Sequence, residues 1–179
     1  MKVAICEYGA GNVRSVALAF GRLQAELVHD VYEADLAVLP GVGSARAAMT
    51  GLRERGHDDA LRARLAAGRP VLGICLGLQL ALDETEEDGG VAGLGLVRGR
   101  AVRLTEGRVP RMGWAKVDGG DTYYFAHSYA AVSPAATAWS EGVVAEVRSG
   151  AFLGCQFHPE KSGAAGARYL EEALSLSLV

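Results

Sequence analysis

Gly73 to Gln79 reads GICLGLQ, and it is entered from Pro70 through the apolar residues Val71 and Leu72. Val71 to Ile74 has the composition of a fully buried strand in a parallel sheet, and Leu76 to Leu82 reads as the helix that follows. Cys75 therefore falls at the strand-to-helix turn, where Gly73 and Gly77 relieve crowding as the backbone changes direction. The positive end of the helix that starts there favours a thiolate. Far downstream, QFHPE places His158 and Glu160 two residues apart. A thiol at such a turn, matched by a distant histidine and carboxylate, is the sequence trace of a cysteine nucleophile in acyl transfer.

The same alternation extends outward from this stretch. Val3 to Cys6 reads as a first strand, and Leu36 to Leu39 as a second that closes on Pro40, Gly41 and Gly43. Asn12 is positioned to cap a helix whose apolar face is Val13, Val16, Ala17, Phe20 and Leu23. Helical sequence runs from Ser44 to Arg55 and from Asp58 to Ala67, and is stopped by Gly68 and Pro70. Strands alternating with helices predict a parallel sheet with helices on its faces. Asp83 to Gly95, acidic and glycine-rich, reads as a surface loop. Beyond Leu96 the pattern shifts to short strands around Val102, Trp114, Tyr123 to Phe125, Val143 to Val147 and Phe152 to Gln156, then a last helix from about Ala164 to Leu176.

With 179 residues the chain is expected to form one domain, residues 1–179, with a core that needs no metal or disulfide. A net charge of −3 with dispersed arginines argues against a nucleic-acid partner. The three cysteines, Cys6, Cys75 and Cys155, are odd in number and lack metal-ligand spacing, which fits a reduced, cytoplasmic protein. Cys6 and Cys155 read as buried structural thiols. The first apolar run is broken by Glu7 and Gly9, too short for a signal or membrane-spanning segment, so no membrane association is expected.

In the chemistry this pattern implies, His158 takes the thiol proton and returns it to the leaving amine, while Glu160 fixes the imidazole tautomer. An oxyanion also needs donors, and PGVGS at Pro40 to Ser44 follows a strand with glycines that free its N–H groups. The N–H of Gly43 or a loop neighbour, together with that of Leu76, is the expected pair. GAGNVR at Gly9 and GVGSAR at Gly41 both begin as dinucleotide-binding fingerprints, but Arg14 and Arg46 stand where the third glycine belongs, so no cofactor is expected. His127, after an aromatic strand, reads as a hydrogen-bonded structural histidine, and His29 and His57 as structural or surface residues.

With these residues in place, the chain resembles the class I, triad-type glutamine amidotransferases, and among them the amidotransferase subunits of imidazole glycerol phosphate synthases. The resemblance covers nearly the whole chain through YGAGN (Tyr8 to Asn12), LPGVGS (Leu39 to Ser44), GICLGLQL (Gly73 to Leu80), PRMGW (Pro110 to Trp114), YFAHSY (Tyr124 to Tyr129) and QFHPEKS (Gln156 to Ser162). GICLG and HPE specify the superfamily, whereas YGAGN, PRMGW and HSY carry the narrower likeness. It implies a doubly wound, flavodoxin-like α/β fold with a nucleophile elbow, Cys75 as nucleophile, His158 as base and Glu160 as orienting acid. By the same resemblance Gly41, Gly43, Leu76, Gln79, Ser128 and Tyr129 line the glutamine pocket or oxyanion site. Ammonia released from glutamine would pass to a (β/α)8-barrel cyclase subunit in a heterodimer, which uses it to make imidazole glycerol phosphate and an aminoimidazole carboxamide ribotide.

Pro110, Met112 and Trp114 match the segment that faces that partner, and Lys161 and Asn12 are further candidates there. Read without the resemblance, Trp114 is equally a core residue and Asn12 a helix cap. Arg111 stands where the family commonly has histidine, Ala115 where it has asparagine, and Ala45 where an aromatic is frequent. Two other readings stay open: the glutaminase of a different synthase, such as that making pyridoxal phosphate or anthranilate, and a retired amidotransferase that only binds.

Overall fold

The computed structural model describes residues 1–9 and 12–176. In chain order its elements are β1 (Lys2–Ile5), α1 (Val13–Arg22), β2 (Glu26–Val28), β3 (Leu36–Leu39), α2 (Ala45–Glu54), α3 (His57–Ala66), β4 (Val71–Ile74), α4 (Leu76–Ala81), β5 (Glu84–Thr85), β6 (Val91–Ala92), β7 (Arg100–Arg103), β8 (Arg111–Lys116), β9 (Thr122–His127), β10 (Tyr129–Val132), β11 (Ala136–Ser140), β12 (Val143–Ser149), β13 (Phe152–Cys155) and α5 (Gly163–Ser175). Seven strands form the central sheet in the order β11-β12-β13-β4-β3-β1-β2. The run from β13 to β2 is parallel, while β11 and β12 are antiparallel additions, with register shifts along β11. This is the mostly parallel, helix-flanked sheet that the alternation of apolar runs predicts.

The strands of the sheet centre are buried on both faces, and successive residues serve opposite cores. Ala37, Leu39 and Val71 join Met49, Leu52, Leu61 and Leu78 in one core, beneath α2, α3 and α4. Leu36, Val38, Leu72 and Ile74 join Phe20, Phe125, Phe157 and Leu170 in the other, beneath α1, α5 and the β8–β9 hairpin.

Two expectations need correction. Asn12 precedes α1, but its side chain makes no capping bond and is engaged elsewhere, as described below. Residues 83–95 are not a simple surface loop: β5 and β6 pair there, and β5 joins β7 and β10 in a second sheet of four strands. The prediction failed because strands of two residues span a single period of the alternation, too little to show a pattern. Arg111 does not belong to the exposed face of β8. It turns inward over Phe125, with its guanidinium carbon 4.3 Å from the ring centroid, and bonds Ser140 Oγ and Glu141 Oε2 at 2.8 and 2.9 Å.

Candidate active site

β4 delivers Cys75 to the carboxyl end of the sheet and α4 leaves at once, which forces Cys75 to a φ of 52°. A β-carbon at positive φ is strained, and the surrounding packing must hold it. Part of that hold comes from two glycines. A methyl group on Gly41 would strike the Gly77 backbone nitrogen and Leu76 Cβ, and one on Gly77 would strike the Leu39 carbonyl. The loop after β3 can therefore lie directly against the turn that bears Cys75.

β13 runs parallel beside β4 and carries the chain past Cys155 to His158. Its extended exit and the short turn Pro159–Lys161 fold Glu160 back, so that His158 Nδ1 and Glu160 Oε1 lie 2.9 Å apart, with side chains 2 % and 1 % exposed. Burial opposes a charge on His158, but the hydrogen bonds its imidazolium donates to Cys75 and Glu160 outweigh it and raise its pKa to about 9. Burial likewise opposes the Glu160 carboxylate, and its bonds from His158 and Asn12 prevail, lowering its pKa. Asn12 Nδ2 donates to Glu160 Oε1 at 2.9 Å. Cys75, His158 and Glu160 are thus brought together from two separate strand exits, a constellation that can generate a thiolate beside an imidazolium.

Cys75 opens onto a cleft of about 270 Å³ lined by Gly41, Val42, Gly43, Leu76, Gln79, Glu87, Arg103 and the segment Ala126 to Tyr129. All six residues expected to line a substrate pocket, Gly41, Gly43, Leu76, Gln79, Ser128 and Tyr129, border it. The loop 40–43 is pinned from behind by Tyr8, whose hydroxyl donates to the Pro40 carbonyl at 2.7 Å. From the side, Asp88 Oδ2 accepts from Ser44 Oγ at 2.6 Å and from the Arg46 N–H at 3.0 Å. Glu87 and Arg103 were missed in the sequence. Glu87 sits in the segment read as loop, and no local spacing marks a residue delivered to a cleft by a neighbouring sheet. Gln156, fully buried behind Cys75, was read only as part of a strand.

His127 borders the same cleft but is engaged with the backbone. Its Nδ1 lies 2.9 Å from the Tyr129 carbonyl, and burial lowers its pKa to about 4, helped by the Arg111 and His158 charges. Cys6 and Cys155 are buried, and burial pushes both thiols up, Cys6 to about 12.

The residues expected at a partner surface form one patch. Met112 and Trp114 are 64 % and 60 % exposed on β8, far more than aromatic and thioether side chains in a core, and Pro110 beside them is exposed. Trp114 meets Tyr124 edge-on at 5.8 Å, and Lys161 Nζ lies 5.9 Å from the Tyr124 centroid. Tyr124 in turn sits 6.4 Å from the His158 ring. Asn12, half-buried at the start of α1, reaches the same corner through Glu160.

Residues 12–175 match the family of class-I glutamine amidotransferases. The chain is 42 % identical, over 94 % of its length and 91 % of the relative's, to a protein of Symbiobacterium thermophilum named imidazole glycerol phosphate synthase subunit HisH. A protein of the same name in Methanopyrus kandleri is 40 % identical over 98 % of both chains. Among solved structures, a glutamine amidotransferase superposes with a TM-score of 0.82 at 22 % identity over 99 % of each chain. The structure of PurLQS from Thermotoga maritima gives 0.75 at 17 % identity over 99 % of each.

Proposed function

This chain belongs to the class-I glutamine amidotransferases, as an enzyme of the HisH type, and from that premise we propose that it hydrolyses glutamine through Cys75, His158 and Glu160 and passes the ammonia to a cyclase partner. The observation that carries the reading is the Cys75 turn opening onto a cleft while His158 is held on Glu160 at 2.9 Å. The cleft also suits a free amino acid: Glu87 and Arg103 on its walls match the charges of an α-ammonium and an α-carboxylate.

In the first step the Cys75 thiolate, its proton already carried by His158, adds to the side-chain carboxamide carbon of glutamine. The resulting oxyanion is received by N–H groups of the Gly41 to Gly43 loop and of Leu76. The carbon–nitrogen bond then breaks as the nitrogen takes the proton from His158, which releases ammonia and leaves a glutamyl thioester. Water adds to the thioester while its proton passes to His158. The carbon–sulfur bond breaks to give glutamate, and the Cys75 thiolate is restored beside the protonated His158. Neither step calls for a cofactor. The whole chain is read as a single amidotransferase domain.

Pro110, Met112, Trp114 and Lys161 form the face on which a (β/α)8-barrel cyclase would dock in a heterodimer, with Asn12 linking that corner to Glu160. The exposed aromatic and methionine anchors support this use. The test is glutamate release by the purified chain, alone and with the cyclase and its ribonucleotide substrate. Strong activation by the cyclase, abolished by Cys75→Ser, is the expected result. Activity in the Cys75→Ser protein would end the triad assignment, and activity indifferent to the cyclase would end the pathway assignment.

A further inference from the structure

Gln156 is 0 % exposed, in the first position after β13 and two residues before His158. An amide side chain has an accepting and a donating end, and its neighbours decide which end faces where. The Tyr129 carbonyl can only accept, so it takes a hydrogen from Gln79 Nε2, at 2.8 Å. The second hydrogen of that nitrogen goes to Gln156 Oε1, at 3.1 Å. With its oxygen thus committed, Gln156 presents Nε2 to Cys75 Sγ, at 3.5 Å. From Gln79 through Gln156 the two donors therefore run toward the sulfur.

From this orientation we propose that Gln156 is a further catalytic residue, whose side-chain N–H stabilises the Cys75 thiolate. The inference rests on Cys75 being the nucleophile. Cys75 is 5 % exposed, so water does little to solvate a charge there, and the contact of its sulfur with the Ala126 carbonyl at 3.8 Å suits only the protonated thiol. A buried anion needs donors. His158 supplies one but surrenders its proton to the departing nitrogen. Gln156 cannot transfer its hydrogen, so it remains a donor through acylation and again when the thioester expels the thiolate. Glutamine suits the position because its amide is neutral at every pH and its orientation is held from behind by Gln79.

The experiment alkylates Cys75 in the full chain with iodoacetamide at about pH 7 and about pH 10, on either side of the range in which an ordinary thiol ionises. The modified Cys75 peptide is quantified by mass spectrometry. Burial keeps the Cys6 and Cys155 thiols protonated, so they add little background. In Gln156→Met the ratio of the lower-pH rate to the higher-pH rate should drop about tenfold, the scale of a hydrogen bond to a charged group. In Gln156→Glu, where a carboxylate faces the sulfur, it should drop further. If Gln156→Met does not fold, Gln79→Met decides, because it frees the Gln156 amide to rotate and should lower the ratio in the same direction. An unchanged ratio in the folded variants, even with slower glutamine hydrolysis, would reduce Gln156 to a packing residue. The alkylation needs no glutamine or cyclase, so a chain that never releases glutamate would overturn the proposed function without deciding this one.

Discussion

His158 shows how one buried side chain reports on its partners. Its imidazolium survives burial because the Cys75 and Glu160 side chains hold the charge, and its pKa rises to about 9. Glutamine hydrolysis should therefore lose its general acid on the alkaline side, with kcat/KM falling through about pH 9. In Glu160→Gln one of the two supporting negative charges is gone, and the same limb should move to lower pH. A pH–rate profile of both proteins checks this, and an unmoved limb would detach Glu160 from His158. Asn12 belongs to the same group through its 2.9 Å bond to Glu160. In the sequence it is indistinguishable from a helix cap, since asparagine serves both roles and its partner lies far along the chain. Cys75, His158 and Glu160 were legible because nucleophile turns and HPE segments leave local patterns. Glu87, Arg103 and Gln156 leave none, being defined by what tertiary packing sets beside them.

At the scale of elements, α3 is fastened by an arginine. Arg64 is 0 % exposed, and its guanidinium donates to the carbonyls of Val31, Tyr32, Ala34, Asp35 and Pro70 at 2.6 to 3.0 Å. It thereby holds the connection between β2 and β3 against α3. Arg64→Leu would remove a donor from all five carbonyls, of which Pro70 keeps the Ala37 N–H and Ala34 the Arg69 guanidinium, and should destabilise the chain by about 3 kcal/mol or more. The urea midpoint measures this, and a shift worth less than about 1 kcal/mol would mean that water replaces the guanidinium. Sequence patterning gives an arginine among apolar residues no such role, because its partners are backbone carbonyls that carry no side-chain signature. By contrast β3, β4 and their helices were readable, since each is a full apolar run bounded by glycine or proline.

For the whole molecule, two buried imidazoles act on stability with opposite sign. His127 has a depressed pKa of about 4, so from pH 6.5 downward the unfolded chain binds a proton that the folded chain refuses, and stability is lost as pH falls. His158 has a raised pKa of about 9, so its contribution is complete below pH 6.5 and is lost as pH rises through about 9. Each is worth on the order of 3 kcal/mol across its window. The lowered pKa of Glu160 adds to the loss on the acid side. Thermal unfolding should therefore show a maximum near pH 6.5, and His127→Asn should flatten the acid side only. A melting temperature that is flat between about pH 5 and about pH 9 would contradict the pair.

The central sheet ends in β2, three residues long, on one side and in β11, whose register is interrupted, on the other. A free edge invites another chain to add a strand, and the invitation weakens when the edge is short or kinked. At the edges of this sheet, crowded copies thus find little regular backbone on which to polymerise. The apolar interior strands β1, β3, β4 and β13 become available for such growth only when the chain unfolds.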